Sequence, residues 1–471
     1  MEAEVIVVGS GAGGAAVAGE LAARGVPVLV VEAGPHAVEP LGGHVRNALP
    51  RERDLPEMGR RLAEGLVNPS LARDTDPKLR DLKVAHTVGG MFAYWTCNCP
   101  DPHPDERAPW FDAAEWDGLL ARVRRLLGVG TSLGDGSVRQ RNIVAKAAAV
   151  ADPRPADRAV QPMPVAARRT PSGAWFASSR ELLRTGEASN ILSVVPDRVC
   201  TRILHRSGRA TGVEVVHPDG TVERLAADCV VVAAGTTDTP KLIAGSGIDA
   251  GAALGRYVFD HPAIGSRVAL APDILDGAGE DDPLFTVWVP YSPQTPWHNQ
   301  VCRFPSNPGA IEIDADPALT ADLFTFSSMD VVPENRFVLD FDRPDPWGLP
   351  DLRLDYRLSG ADRARIAGGL AEQFRIAAAI GDLVYHRWSP MFGTGWSTHM
   401  MGSCRMGPAD DGTSCVDLDG RLWGYDNLYV AGNAVLAVSN AGNPTSMSIA
   451  LALRTGERIA ARLGRGTTAA A

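Results

Sequence analysis

The sequence lacks the features that would place its 471 residues outside the globular class. No run of about 18 consecutive apolar residues occurs, so no membrane-spanning helix is expected. No basic n-region or cleavable apolar segment precedes the first strand, which begins almost at once with Val5-Ile6-Val7-Val8, and a cytoplasmic location is expected. There is no surplus of positive charge: Lys and Arg total 46 against 56 for Asp and Glu, a net charge of -10. Nucleic acid, whose phosphates need clustered cations, is therefore not an expected partner. The arginines scattered through stretches such as 361–375 read as solvated helix faces. The seven cysteines contain no C-x-x-C pair, and Cys97 and Cys99 are one residue apart, a poor spacing for zinc or for redox chemistry. Reduced, buried thiols and no metal are expected. No internal repeat is present.

What is there is a core-forming composition, 45 % hydrophobic and 22 % charged, with 49 Gly and 35 Pro to make tight turns and long ordered loops. The length suits two or three ordinary domains or one large two-lobed enzyme. Residues 4–34 read as strand, Gly-rich turn, helix (roughly Gly13 to Arg24, ended by Gly25) and a second strand, Val28-Leu29-Val30-Val31. This is the unit that starts a doubly wound sheet. Residues 36–80 look irregular, with a short helix, and Asp112 to Leu127 looks helical. Short strands fill 190–234, turning at Ser207-Gly208 and Asp219-Gly220. Further strands are predicted at Leu284–Val289, Ile311–Ile313, Phe337–Leu339 and Leu352–Tyr356, as in one antiparallel sheet. A helix over 360–380, a strand at Leu428–Val430 and a helix from Thr445 to Leu463 close the chain.

The expected fold is α/β with an α+β second lobe: a Rossmann-like dinucleotide-binding domain, assigned to FAD on the grounds given below, and an inserted antiparallel-sheet substrate domain. The expected boundaries give 1–45, 81–150, 186–263 and 395–471 to the discontinuous dinucleotide-binding domain. Residues 46–80, 151–185 and 264–394 go to the substrate domain and its connections.

The first strand runs into Gly9-Ser10-Gly11-Ala12-Gly13-Gly14, in which Gly9, Gly11 and Gly14 fit G-x-G-x-x-G. Glycine serves a tight turn, close approach of backbone N–H groups to a pyrophosphate, and close helix–strand packing. The helix N-terminus adds a positive dipole end. Glu32 closes the second strand, where a carboxylate can accept from an adenosine ribose and would repel a 2'-phosphate. A late apolar strand, Val230 to Ala234 and Gly235, followed by a helix beginning at Pro240-Lys241-Leu242-Ile243, resembles the layout of flavoproteins whose single FAD lies extended through one lobe, and that resemblance implies FAD rather than NAD.

Four segments together resemble the glucose–methanol–choline (GMC) oxidoreductase family. They are the N-terminal unit; Val88-Gly89-Gly90-Met91-Phe92-Ala93-Tyr94-Trp95-Thr96-Cys97; Leu254-Gly255-Arg256 through Asp260-His261-Pro262; and His399 to Leu453. The last contains His399-Met400-Met401-Gly402-Ser403-Cys404-Arg405-Met406-Gly407 and Gly442-Asn443-Pro444-Thr445. The second segment is most similar to that of pyranose oxidases and bacterial glycoside 3-oxidase-like members. The resemblance is faint over 265–390.

It implies FAD held by Gly9, Gly11, Ala12, Gly14, Glu32, Gly89, Gly90, Met91, Thr96, Val199, Ala234, Gly235, Gly432, Asn433, Asn443, Pro444 and Thr445. It also implies that His399 and Asn443 face the flavin. Alcohol oxidation needs a base for the O–H proton and an acceptor, flavin N5, for the C–H hydride. Imidazole is the usual base near neutral pH, and an amide can fix the hydroxyl oxygen. Thr445 starts a helix after Pro444, whose N-terminus can stabilise negative charge. Asp260-His261-Pro262 reads as a structural turn, and His86 and His103 flank the second segment. Tyr94 stands where some pyranose oxidases carry a flavin-linking His, so non-covalent FAD is implied. The compact length for the family implies a monomer. The expected reaction is oxidation of a sugar or glycoside hydroxyl to a keto group, with dioxygen or another electron acceptor. An aminoglycoside or aminocyclitol alcohol, a dehydrogenase with a non-oxygen acceptor, and a lyase with structural FAD stay open. In the substrate region Trp288, Tyr291, Trp297, Phe337, Gln300 and Arg303 are candidates, the aromatics being more often core.

Overall fold

The computed structural model describes residues 3–49, 57, 60, 61, 64–70, 78–171, 173–188, 190–279, 281–302, 319–384 and 393–465. The predicted strand Ile311–Ile313, the candidate Arg303 and much of 46–80 lie outside the described residues.

A run of four β-branched residues suits a strand buried on both faces, and β1 (Val5–Val8) is buried along its whole length. It sits at the centre of a five-stranded parallel sheet in the order Leu428–Val430, Cys229–Val232, β1, β2 (Val28–Val31), Leu192–Val195. The crossover helix α1 (Ala12–Ala23) has no polar face, and Gly13 to Ala22 are all buried. A helix apolar all round must be covered on all sides. The sheet, the helix Ser179–Ala188 and the final helix Thr445–Arg462 cover it. This is the expected Rossmann-like lobe, and its carboxyl strand ends open on the groove that holds the site.

The second lobe is a six-stranded antiparallel sheet in the order Gly381–Leu383, Ala263–Leu270, Thr320–Ser327, Trp297–Cys302, Thr286–Val289, Gln161–Pro162. Its outer face is covered by the helix Gly360–Ile380, entered through a Ser359/Asp362 capping box. Two predicted strands do not join it. Arg336–Pro344 and Pro350–Asp355 form a separate hairpin, whose Phe337, Leu352 and Leu354 pack on Leu79, Leu82, Val258 and Met400. Phe337 is thus core.

Two helices also differ from the expected boundaries. Val138–Val150, assigned to the nucleotide lobe, puts Ile143 and Ala147 into the core of the six-stranded sheet. Ser179–Ala188, which the boundary at 185 cuts through, packs on α1, with the Leu182 carbonyl pressed against Gly19. Amphipathicity shows that a helix has an apolar face without showing which lobe that face meets. The late helix starts at Gly235, before the predicted Pro240, and keeps that proline inside it. Proline cannot supply the N–H that would bond to the Thr236 carbonyl. The Ser403 hydroxyl donates there instead (2.6 Å).

One buried ion pair ties this lobe together. Arg154 donates to both oxygens of Glu372 (2.6 and 2.8 Å). Glu372 also accepts from Trp297 Nε1 (2.9 Å) and Asn299 Nδ2 (2.7 Å). Removing one partner of such a pair strands the other charge, at a cost of about 3–5 kcal/mol. Arg154→Ala is expected to lower the denaturant midpoint of the sheet lobe correspondingly, with no direct effect on the flavin groove.

Candidate active site

The glycine turn meets all three demands that its pattern makes. Gly9 has φ +97°, outside the range of L-residues, and a Cβ there would lie 2.5 Å from the Ala233 carbonyl. A Cβ on Gly14 would lie 1.9 Å from the Gly9 carbonyl, so the helix can approach the strand only with glycine. At Gly11 the nearest atom to a Cβ is 3.9 Å away, and this position opens on a long cavity between the lobes. No side chain caps α1, and no acid occupies its first turn. Its amides and dipole are therefore free for an anion.

Glu32 lines this cavity, and its first partners belong to the chain itself. Oε2 accepts from Ser10 N (2.9 Å) and Ser10 Oγ (2.6 Å), and Oε1 from Gly34 N (3.3 Å). Burial pushes its carboxyl up, while Ser10 pulls it back. Ser10 Oγ in turn accepts from Gly89 N (2.8 Å), which bolts the Gly-Gly segment onto the turn. Gly89 and Gly14 thus build the cradle without lining it. Gly9, Gly11, Ala12, Glu32, Gly90, Met91, Thr96, Val199, Ala234, Gly235, Gly432, Asn433, Asn443 and Thr445 all line the cavity, and so does Tyr94. Pro444 stands behind as the residue preceding the final helix, another N-terminus with no side-chain cap and no acid in its first turn. Unblocked helix ends, a glycine opening and a continuous groove fit a dinucleotide carrying a second ring system.

His399 and Asn443 meet on the wall of the same cavity, with His399 Nε2 3.4 Å from the Asn443 amide. Burial pushes the imidazole down to about 4, so it is neutral at pH 7. The loop that carries it is held by the segment predicted as a structural turn. Asp260 accepts from His261 N (2.7 Å), from Gly395 N (2.8 Å) and from the Ser397 hydroxyl. Ser397 Oγ then accepts from His399 N (2.9 Å). Thr398, just before His399, is a β-branched residue at φ +61°, a strained position that this anchorage maintains.

Sequence reasoning named Gln300 as a substrate-region candidate without its contact to Asn443, and it missed the packing of His261 on His399 and an aromatic wall. The His261 ring lies 5.0 Å from that of His399, with both nitrogens buried and without a protein partner. The Gln300 amide lies 2.9 Å from that of Asn443. Phe324, Phe326 and Trp396 add aromatic wall. The other candidates go elsewhere: Trp288 and Trp297 are buried in the sheet, and Tyr291 stacks near His103, which caps a short 3-10 turn. His86 lines the cavity, paired with Asp238 at 3.1 Å. The seven cysteines are free and buried, and no group of potential metal ligands occurs among the described residues.

Sequence models described as GMC oxidoreductase match residues 104–263 and 333–452. A C-glycoside 3-oxidase of Microbacterium trichothecenolyticum is 34 % identical, aligned over 98 % of this chain and 96 % of that protein. The chain belongs to the GMC oxidoreductase family. Among other relatives of this GMC oxidoreductase, a C-glycoside 3-oxidase of Arthrobacter globiformis is 32 % identical over 98 % of the chain and 95 % of that protein. A pyranose 2-oxidase of Tricholoma matsutake is 28 % identical over 81 % and 74 %. Crystal structures of pyridoxine 4-oxidase from Mesorbium loti and of formate oxidase share the fold, each with a TM-score of 0.71. The first is 17 % identical and covers 97 % of this chain and 99 % of its own; the second is 16 % identical and covers 98 % of each. The family binds FAD, a dinucleotide that the glycine turn fits, and the chain is an FAD-dependent oxidoreductase. Among the described residues no helix of this GMC oxidoreductase is long and apolar enough to cross a membrane.

The buried histidines set the response of this GMC oxidoreductase to acid. Burial pushes His44 and His298 down to about 3 and His399 to about 4. Each is neutral in the folded chain and takes up a proton on unfolding below about pH 6.5. The unfolded chain then binds more protons, so stability falls as pH drops from about 6.5 towards 4. His261, also held neutral by burial, adds to this, whereas Asp260, pushed up to about 6, and Glu32 and Glu106, which burial also pushes up, favour proton binding in the folded state and offset part of it. Thermal unfolding is expected at a lower temperature at about pH 5 than at about pH 7. His44→Gln, which keeps a donor for the Trp95 carbonyl, is expected to narrow that difference.

Proposed function

We propose that this chain oxidises a secondary ring hydroxyl of a sugar or glycoside to a ketone, with dioxygen as the final electron acceptor. The observation that carries the reading is the meeting of a neutral imidazole and an amide, His399 and Asn443, on the wall of the groove that begins at the glycine turn. The kinship with C-glycoside 3-oxidases over nearly the full length supports a glycoside as the substrate class.

Bound FAD would supply the acceptor for the C–H hydrogen and its electron pair. The turn at Gly9, Gly11 and Ala12, with Glu32, Thr96, Val199, Gly432, Asn433 and Thr445, would hold it. His399 Nε2 takes the hydroxyl proton, and burial keeps the ring neutral beforehand. Asn443 bonds the hydroxyl oxygen and fixes which C–H is presented. Phe324, Phe326 and Trp396 offer flat apolar faces to the sugar ring and keep water from the reacting carbon. A tyrosine at position 94 leaves FAD non-covalent, so acid precipitation is expected to release all the flavin into the supernatant. Yellow colour retained in the pellet would contradict this. We read the protein as a cytoplasmic monomer, which size-exclusion chromatography coupled to light scattering would check for mass.

The experiment is incubation of the holoenzyme in air with C-glycosides, O-glycosides and free sugars. Hydrogen peroxide would be assayed and the product's keto position fixed by NMR. Peroxide formed in step with one ketosugar is expected. Flavin reduction without peroxide would remove dioxygen from the scheme, and no reduction by any carbohydrate would remove the substrate class.

A further inference from the structure

We propose that a hydrogen-bond chain starting at Trp288 makes Asn443 turn its carbonyl, not its NH2 group, toward His399. Trp288, His298 and Gln300 are then positioning residues for the base. The inference deepens the reading of His399 as base and rests on it.

An indole N–H always donates. That of Trp288 lies 3.2 Å from His298 Nδ1, so Nδ1 carries no proton. His298 is buried and neutral, and its one proton therefore sits on Nε2. That nitrogen lies 3.0 Å from the Gln300 amide. If Gln300 presented NH2 there, two buried donors would face each other with nothing to accept from either, an arrangement that folded chains avoid. A half-turn of a side-chain amide exchanges its carbonyl and NH2 without changing its outline. The half-turn that gives His298 an acceptor places the same Gln300 oxygen 2.9 Å from Asn443. Its NH2 then faces Asn98, whose amide turns in step to accept. Asn443 must give an N–H to Gln300, which brings its carbonyl to His399 Nε2, 3.4 Å away.

The carbonyl in that place accepts a hydrogen bond from the N–H that Nε2 gains when it takes the hydroxyl proton. With Nε2 bare the neutral ring has no N–H to give this carbonyl, whereas the charged ring has one, so the contact favours the charged form and raises the proton affinity that burial lowers. Few other groups oppose or assist it. His261 and Phe326 pack on the His399 ring. His261 and His298 are both held neutral by burial. Asp260 acts only through the Ser397 hydroxyl. Asn443 retains a second N–H for the substrate oxygen.

The test is nitrogen-15 NMR of the holoenzyme labelled at histidine, with His298 and His399 assigned by the signals lost in His298→Gln and His399→Gln. Wild-type His298 is expected with a bare Nδ1 and a protonated Nε2. In Trp288→Phe the chain loses its fixed end. His298 is expected as a mixture of tautomers, and the His399 titration midpoint to fall by roughly half a pH unit. Trp297→Phe removes another buried indole N–H outside the chain and is expected to leave both signals in place. A wild-type His298 protonated at Nδ1 would overturn the proposal without Trp288→Phe having to fold. So would a His399 midpoint that Trp288→Phe and Trp297→Phe move equally. These readouts use no substrate, so they succeed or fail apart from the glycoside assay.

Discussion

His399→Ala is expected to slow anaerobic flavin reduction by about 10²- to 10⁴-fold, the usual contribution of a positioned general base. Flavin content is expected to stay at the wild-type level. The imidazole lies in the loop anchored by Asp260, whereas the turn, Ser10 and Glu32 form a separate bonded unit, so removing one leaves the other intact. No neighbour can take over. His261 is close, with its ring 5.0 Å away, yet it lies behind His399 and does not line the cavity. His298 spends its bare nitrogen on Trp288. The alanine variant leaves a ring-sized space bordered by Phe326 and His261, which added imidazole can enter, so partial rescue that grows as imidazole becomes deprotonated is expected. Stopped-flow absorbance of the flavin band measures all of this. A variant within tenfold of wild type would mean that the proton leaves by another route.

Gly11→Val is expected to leave the chain folded while weakening FAD at least about 100-fold, a few kcal/mol of lost binding. The two halves of that expectation come from one measurement of space. Gly11 has φ -62° and ψ -175°, which valine adopts readily, and its Cβ would meet only the Gly89 carbonyl, 3.9 Å away. The same Cβ points into the cavity, where the amides of α1 need close approach to a pyrophosphate. Gly14→Ala is the contrast: its Cβ would press within 1.9 Å of the Gly9 carbonyl, so packing fails before binding is tested. Circular dichroism and flavin content of the two variants, compared with wild type stripped of FAD, separate the cases. Gly11→Val purified with a full complement of flavin would mean that the turn does not cradle the cofactor.

How far the sequence could be read depended on how local the determinant was. The strand, turn and helix from Val5 to Ala23 were legible because each residue type answers a demand set within a few positions: β-branching for the strand, glycine for the turn, alanine for a helix buried on all sides. His399 and Asn443 were legible as members of recurring segments. Gln300, His298 and Trp288 were not legible as a chain, because they converge only through sheet register. Trp288 stands opposite Gln300 across an antiparallel pair, and His298 is two residues from Gln300 on the same face. His261 looked like a turn residue, and its neighbour Asp260 does tie the turn, yet the imidazole itself packs against His399 from a distant part of the chain. The hairpin Arg336–Pro344 with Pro350–Asp355 has the strand pattern of the main sheet and a different partner, which alternation alone does not reveal.

The most direct test of the central claim is anaerobic mixing of the yellow holoenzyme with a panel of C-glycosides, O-glycosides and free sugars, following the visible flavin band. The account predicts complete bleaching by at least one glycoside, its rate collapsing in His399→Ala at unchanged flavin content. A flavin that stays oxidised with every carbohydrate, while a non-sugar alcohol bleaches it, would contradict the account.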